Sequence, residues 1–223
     1  MPEDPRLERL RDAVVASDKA LVVAAVEAAL REGLSASDII EKGLSPGMKE
    51  VGERFARYEL YLPEMMMAAE AWEQAMALLE PRLLASGVAY RKVGRVVIGT
   101  VSGDIHSIGK NIVAAMLKMN GFEVFDLGVD VPASRFVAKA EEVGADVIAL
   151  SALMTTTMPQ QKALIEHLHV RQLRRKYIVL TGGACTNQEW ADSIGADGWG
   201  RTAGDAVALV LKAVSQSGRE RQS

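Results

Sequence analysis

The stretch RVVIGTVSGDIHSIGKN, residues 95–111, passes from an apolar β-branched run through a glycine-punctuated loop into the start of a helical pattern. The same rhythm recurs beyond it. Apolar runs at 95–101, 123–128, 146–153, 177–183 and, more weakly, 197–200 alternate with helical stretches near 106–120, 133–143, 158–175, 187–194 and 203–215. Strands that are apolar nearly throughout are buried on both faces, and each parallel crossover needs a helix. The alternation therefore predicts a five-stranded, doubly wound parallel sheet. In such sheets a ligand sits outside the carboxyl ends of the strands, near the switch point of the strand order. The loop at 101–107 is the first of those ends.

From residue 5 to about 87 the pattern is helical instead, with apolar residues at three- and four-residue spacing in RLERLRDAVVAS, DKALVVAAVEAALREG, SASDIIEKGL, SPGMKEVGERFARYEL and LPEMMMAAEAWEQAMALLEPRLLAS. Ser17, Ser35 or Ser37, and Ser45 before Pro46 suit helix starts, and Gly33 and Gly43 suit helix ends. This half reads as a four- or five-helix bundle. The expected division is 1–88 for the helical domain, 89–216 for the α/β domain and 217–223 for a disordered tail.

Composition narrows the function. A net charge of −3 over 223 residues provides no basic field for nucleic acid or an anionic membrane. The single cysteine, Cys185, excludes an internal disulfide and any multi-cysteine metal site. The start, MPEDPRLERLRDAVV, lacks the basic and apolar segments of a signal peptide, and no apolar run is long enough to span a bilayer, so a cytoplasmic location is expected.

The loop does not fit the phosphate motifs. Gly103 and Gly109 enclose five residues and Asn111 follows Lys110, against the P-loop pattern, and Gly99, Gly103 and Gly109 are too widely spaced for the dinucleotide fingerprint. Two readings of Asp104 and His106 remain. In one, Asp104 caps the next helix and His106 is a surface residue. In the other, the carboxylate holds one ring nitrogen of a metal-ligating histidine. A lone protein ligand does not hold a bare ion tightly, so the metal would arrive inside a macrocycle.

Three separated motifs carry a resemblance. Asp104-x-His106-x-x-Gly109 is followed, after the 41 residues 110–150, by Ser151-Ala152-Leu153, and after the 28 residues 154–181 by Gly182-Gly183. In this order and spacing the chain resembles the corrinoid proteins of methyltransferase systems and the cap and cobalamin-binding domains of cobalamin-dependent methionine synthase. The flanking GKNIV and DLGVDVP look like the same family. The resemblance implies a helical cap followed by a flavodoxin- or Rossmann-like α/β domain that binds cobalamin with its dimethylbenzimidazole base off cobalt and buried in a channel. His106 would replace that base as lower axial ligand to cobalt, Asp104 would hold its other nitrogen and Thr157 would extend the relay. Ile105, Ser107, Ile108 and Gly109 belong to the same cofactor loop. Ser151, Leu153, Thr155, Gly182, Gly183 and Ala184 would line or flank the tail channel. In the helical half, GMKEVGERFARYELYLPEMMMAAEAW looks like the family's cap, with Phe55, Leu62 and Met65 at positions that shield a cobalt-bound methyl group. Met66, Met67 and Trp72 read as helix core, Cys185 as a small turn residue, and Arg174, Arg175 and Lys176 as a solvated helix end.

The function so implied is a methyl carrier, not catalytic alone, that shuttles a methyl group by way of Co(I) and methyl-Co(III). Its partners would be a substrate-specific methyltransferase, an acceptor methyltransferase using a folate or a thiol, and a reductive activator; a homodimer is left open. The connection near 85–94, with Gly87 and Gly94, would be the hinge that lets the cap move. Two other functions are weighed. A cobalamin-dependent regulator would carry a DNA-binding domain, and that subgroup's Glu-His pair is replaced after Trp72 by Arg82-Leu83. A detached subunit of an adenosylcobalamin mutase would lack this helical cap.

Overall fold

The computed structural model describes residues 4–85 and 93–220. It divides into two compact units, Met1–Arg91 and Lys92–Ser223. The expected boundary between residues 88 and 89, and Gly87 of the expected hinge, lie outside the described residues. Among the described residues no helix is long and apolar enough to cross a membrane.

In the first unit, α1 (Pro5–Val15) starts on Asp4, whose carboxylate accepts the Arg6 N–H. Helix α2 (Lys19–Arg31) starts on Asp18, which accepts the N–H groups of Ala20 and Leu21. Ser17, expected as a cap, instead makes the turn between the two helices with a left-handed φ of 55°. Ser35 does cap α3 (Ala36–Asp38), by accepting the Asp38 N–H. The chain then continues through a π-helical segment, Ile39–Leu44, directly into α4 (Ser45–Ala56). Gly43 therefore does not end a helix. It lies where a Cβ would come within 2.9 Å of Leu10 side-chain atoms, so its smallness serves close packing against α1. The wider turn, with Ser45 N–H bonding to Ile40 O, precedes Pro46, which has no N–H to offer. Helix α5 (Leu62–Ala85) buries Met65, Ala68, Trp72, Ala75 and Leu79, a three- and four-residue repeat that packs on α2 and α4.

The second unit is the expected sheet. Strands β1 (Arg95–Thr100), β2 (Glu123–Asp126), β3 (Val147–Ser151), β4 (Ile178–Gly182) and β5 (Gly198–Gly200) lie in the order β2-β1-β3-β4-β5, every neighbouring pair parallel. Helices α6 (Ile108–Met119) and α10 (Ala203–Glu220) cover one face, and α7 (Ala133–Val143), α8 (Met158–Val170) and α9 (Gln188–Ile194) cover the other. Alternation along each strand divides the side chains. Val96, Ile98, Ala149 and Leu180 join the α6/α10 core, and Val97, Ile148, Leu150 and Val179 join the α7/α8 core around Phe136.

Two expectations in this unit are corrected. Helix α8 stops at Val170 instead of running to 175, because Gln172 takes a left-handed φ of 58°. Arg174–Lys176 then form a separate 3₁₀ turn, and Arg174 is not solvated. Its guanidinium donates to Gly195 O at 2.6 Å and to Tyr177 O at 3.1 Å, and pairs with Asp197 at 2.9 Å, tying the start of β4 to the α9–β5 loop. Helix α10 continues to Glu220, so residues 217–220 extend a helix where a tail was expected; residues 221–223 lie outside the described residues. A helix already anchored on the sheet by Val207 and Val210 extends at little further cost.

Close packing also explains Gly99, which faces α7. A Cβ there would stand 2.7 Å from the Phe136 Cζ. Gly99→Ala is expected to destabilise the chain by about 1–3 kcal/mol in chemical denaturation. Combined with Phe136→Leu it should cost less than the sum of the two single changes, because one clash is shared.

Candidate functional site

The carboxyl edge of the sheet carries the site. Register aligns Thr100 with Ser151, Ser151 with Gly182, and Gly182 with Gly200, so the ends of β1, β3, β4 and β5 form one row. Strand order reverses between β1 and β3, where an open parallel sheet leaves a crevice. The loop after β1 is fixed above that crevice. The Thr100 hydroxyl donates to His106 O at 2.7 Å, and the Asp130 carboxylate accepts the Gly103 N–H at 2.7 Å. Gly103 takes a φ of 79°, which suits glycine.

Asp104 does not cap α6, whose first turn has no side-chain cap. Its carboxylate is fully buried and accepts from two loops at once. Oδ1 takes the His106 N–H at 3.1 Å and the His106 ring Nδ1 at 2.7 Å. Oδ2 takes the Leu153 N–H at 2.8 Å and the Thr157 hydroxyl at 2.8 Å. Burial alone would push the Asp104 carboxyl up. The N–H groups of Leu153 and His106, with the His106 ring and the Thr157 hydroxyl, outweigh burial and hold it well below the usual carboxylate range. An ionised carboxylate is an acceptor only, so the proton between the two side chains belongs to His106 Nδ1. In the neutral ring Nε2 is then a free lone pair, on a side chain that is 47% exposed.

Below this loop a cleft of about 550 Å³ lies between the sheet and helices α6 and α10. Of the expected residues, Ile105, His106, Ser107, Ile108 and Gly109 line it from the first loop. Ser151 and Leu153 line it from β3 and its following loop, and Gly182, Gly183 and Ala184 from the turn after β4. Thr157 is buried behind Asp104, and Thr155 is exposed in the turn before α8 without lining the cleft. Gly183 has a φ of 124°, and a Cβ on it would fall 1.7 Å from Ala152 O, so this turn admits glycine alone. At Gly182 a Cβ would meet only Gly200 O at an ordinary 3.5 Å. The packing of the protein does not demand that glycine; its missing side chain is cleft volume. Cys185 fits the turn role, its thiol directed at Ala152 O at 3.4 Å and pushed up in pKa by burial.

The helical residues lie elsewhere in the sequence and in the first unit. Phe55 is half-buried near the end of α4, Leu62 is half-buried at the start of α5, and Met65 is fully buried one turn on. Met66 and Met67, expected in the core, are 36% and 51% exposed. They fall off the repeat that runs through Met65, Ala68 and Trp72.

Sequence reasoning weighed Lys110 only against the P-loop and missed its role. It is buried, and its ammonium lies 2.5 Å from Asp126 Oδ2 and 2.7 Å from Asn111 Oδ1, joining α6 to the end of β2. The cleft walls from α6 and α10 were also missed. Their signal was the run of small residues, Ala149, Ser151, Gly182 and Gly200, at strand positions that would otherwise be filled.

The donor chemistry fits one kind of metal group. Among the described residues no cluster of three or more His, Cys, Asp or Glu side chains stands ready to hold a metal ion. One free imidazole nitrogen beside a largely apolar cleft suits a cobalt ion already chelated by a macrocycle, with room beside it for an appended chain. Comparison with known proteins agrees. A model of the B12 binding domain matches residues 94–208, and a second B12 binding domain model matches residues 6–80. Fold and site thus define a cobalamin-binding protein. More narrowly, the chain belongs to the family of corrinoid proteins. It is 48% identical over 207 residues to a corrinoid protein of Desulfitobacterium hafniense (strain Y51), covering 92% of this chain and 96% of that one. It is 50% identical over 208 residues to the dimethylamine corrinoid protein of Methanosarcina barkeri, covering 93% and 97%. It superposes with a TM-score of 0.86 on a chain of the methanol:cobalamin methyltransferase complex from Methanosarcina barkeri, at 31% identity, covering 96% of this chain and 81% of that one.

Thr157→Val removes a donor from a buried charge and is expected to lower unfolding free energy by about 1–3 kcal/mol, measured by urea denaturation. Thr157→Ser keeps the hydroxyl and should lie close to the unmodified chain; equal losses in both variants would mean that the hydroxyl is not what matters.

Proposed function

We propose that this chain is a methyl carrier that binds cobalamin with its tail base off cobalt and His106 as the lower axial ligand. The observation that carries the reading is the free Nε2 of His106, aimed from a loop whose other ring nitrogen is committed to the buried Asp104. Bound cobalamin supplies a cobalt atom that accepts a methyl group from one enzyme and gives it up to another.

The chain's own residues do the rest. Asp104 fixes the His106 tautomer and orientation. Thr157 and the Leu153 N–H hold Asp104 in place, so the ligand geometry is set by the β3–α8 loop as well as by its own. The nucleotide tail lies in the cleft, across Ser151, Gly182 and Gly183. In this reading Phe55, Leu62 and Met65 of the helical unit shield the methyl group.

The partners are a substrate-specific methyltransferase, an acceptor methyltransferase acting on a folate or a thiol, and an activator that restores the reduced metal. The relatives named for dimethylamine, and the methanol:cobalamin methyltransferase complex, support a small methylated amine or alcohol as the source of the methyl group. The methyl donor would be bound by the first of these partners.

The test loads the chain and its His106→Ala variant with hydroxocobalamin, removes the excess, reduces both to Co(II) and records paramagnetic resonance spectra. Splitting by one axial nitrogen is expected in the unmodified chain, altered by ¹⁵N-histidine labelling and lost in the variant. Splitting that survives in His106→Ala, or ignores the label, would overturn the axial assignment.

A further inference from the structure

We propose that the cleft selects its cofactor by the chemistry of the tail base, taking a fused base with a hydrocarbon edge, such as a benzimidazole, over an aminopurine. Leu117 of α6 and Val210 of α10 are the side chains that impose the choice. The inference rests on the reading that the nucleotide tail occupies this cleft, and adds to it which tail is taken.

The cleft is graded in polarity from mouth to inner end. At the mouth are loop residues: His106, Ser107, Arg201 and Thr202, beside the exposed Ile105 and Ile108. Further in, along the strands and down the helices, the lining is Ile98, Leu180, Leu117 and Val210, each at most 5% exposed, with Val113 and Ala206 between them. None of those six side chains carries a polar atom.

The buried polar residues that border the cleft are turned away or already engaged. Thr181 and Leu150 alternate with Leu180 and Ala149, so their side chains belong to the opposite face of the sheet and only their main chain borders the cleft. Lys110 presents its methylene stem, because its ammonium is committed to Asp126 and Asn111. The strand main chain beneath is consumed by the ladder between β1, β3 and β4.

The Ser151 hydroxyl stands at the carboxyl edge of the sheet, so a base that enters far end first passes it and meets only hydrocarbon at the inner end. The benzo edge of a benzimidazole loses nothing by leaving water there, and each buried apolar carbon favours binding. The corresponding edge of an aminopurine carries ring nitrogens and an amino group, which would lose their water partners and find none on the wall. The penalty for leaving such groups unpaired corresponds to a preference of at least about tenfold for the benzimidazole.

The experiment measures retention, not turnover. The purified chain is dialysed to equilibrium against three cofactors in their aquo forms: cobalamin with its dimethylbenzimidazole base, the analogue with adenine as the tail base, and cobinamide, which lacks the nucleotide. Cobalamin is expected to bind at least about tenfold more tightly than the adenine form. Equal affinity for these two overturns the inference and leaves the methyl-carrier reading intact. Cobinamide binding as tightly as cobalamin overturns it as well, by showing that the cleft contributes nothing. Retention of none overturns the methyl-carrier reading itself, and the inference with it. Val210→Thr keeps the side-chain shape and places a hydroxyl on the wall, so it should narrow the ratio between the two bases; an unchanged ratio overturns the assignment to Val210.

Discussion

A carboxylate with no exposed surface has to be surrounded by donors, and Asp104 is such a group. Leaving it unpaired would cost several kcal/mol, so the loops that carry its donors are not free to wander. The β1–α6 loop supplies His106 and the β3–α8 loop supplies Leu153 and Thr157, from positions about fifty residues apart. One charge thus locks two loops at the switch point of the sheet, and the imidazole inherits its aim from that lock. A histidine on a loop would otherwise sample several rotamers; this one is held through both its main-chain N–H and its ring.

The second constraint is the absence of side chains. A doubly wound sheet ordinarily fills the space under its helices, and this one does so toward α7 and α8, where Phe136 presses so closely on Gly99 that a single methyl group would clash. Toward α6 and α10 the row Ser151, Gly182, Gly200 is too small to fill it. The cleft is therefore made by the same strand alternation that makes the core, with small residues at the carboxyl ends of the strands on the α6/α10 face and a filled core on the other face. Gly183 closes the arrangement, since its turn passes so near Ala152 O that no other residue fits. The small residues and the buried charge serve one end: a rigid frame around space left for a ligand.

The parts of this chain legible in the sequence were those written in local periodicity and short spacing. All five strands and their crossover helices follow from alternating apolar runs and glycine turns, because a buried parallel strand must be apolar and its crossover must be a helix. Helix ends were less legible. Ser17 lost the capping role to Asp18, which accepts two N–H groups, and Gly43 passed through a π turn because its packing against Leu10 mattered more than its freedom to end a helix. Arg174 looked like one charge among three, and only the fold brings Gly195 and Asp197 to it.

The motif Asp104-x-His106-x-x-Gly109 and its distant companions named the cofactor class, since residue types and separations survive in one dimension. What the tertiary structure decided was how those residues are used. It put the Thr157 hydroxyl and the Leu153 N–H on Asp104, set Lys110 against Asp126, left Thr155 outside the cleft, and placed Leu117 and Val210 on one wall from helices that begin nearly a hundred residues apart. Such contacts depend on strand order and register, and neither is encoded in any single segment. A sequence fixes which groups are available; only packing determines which are buried, which are paired and which face an empty space.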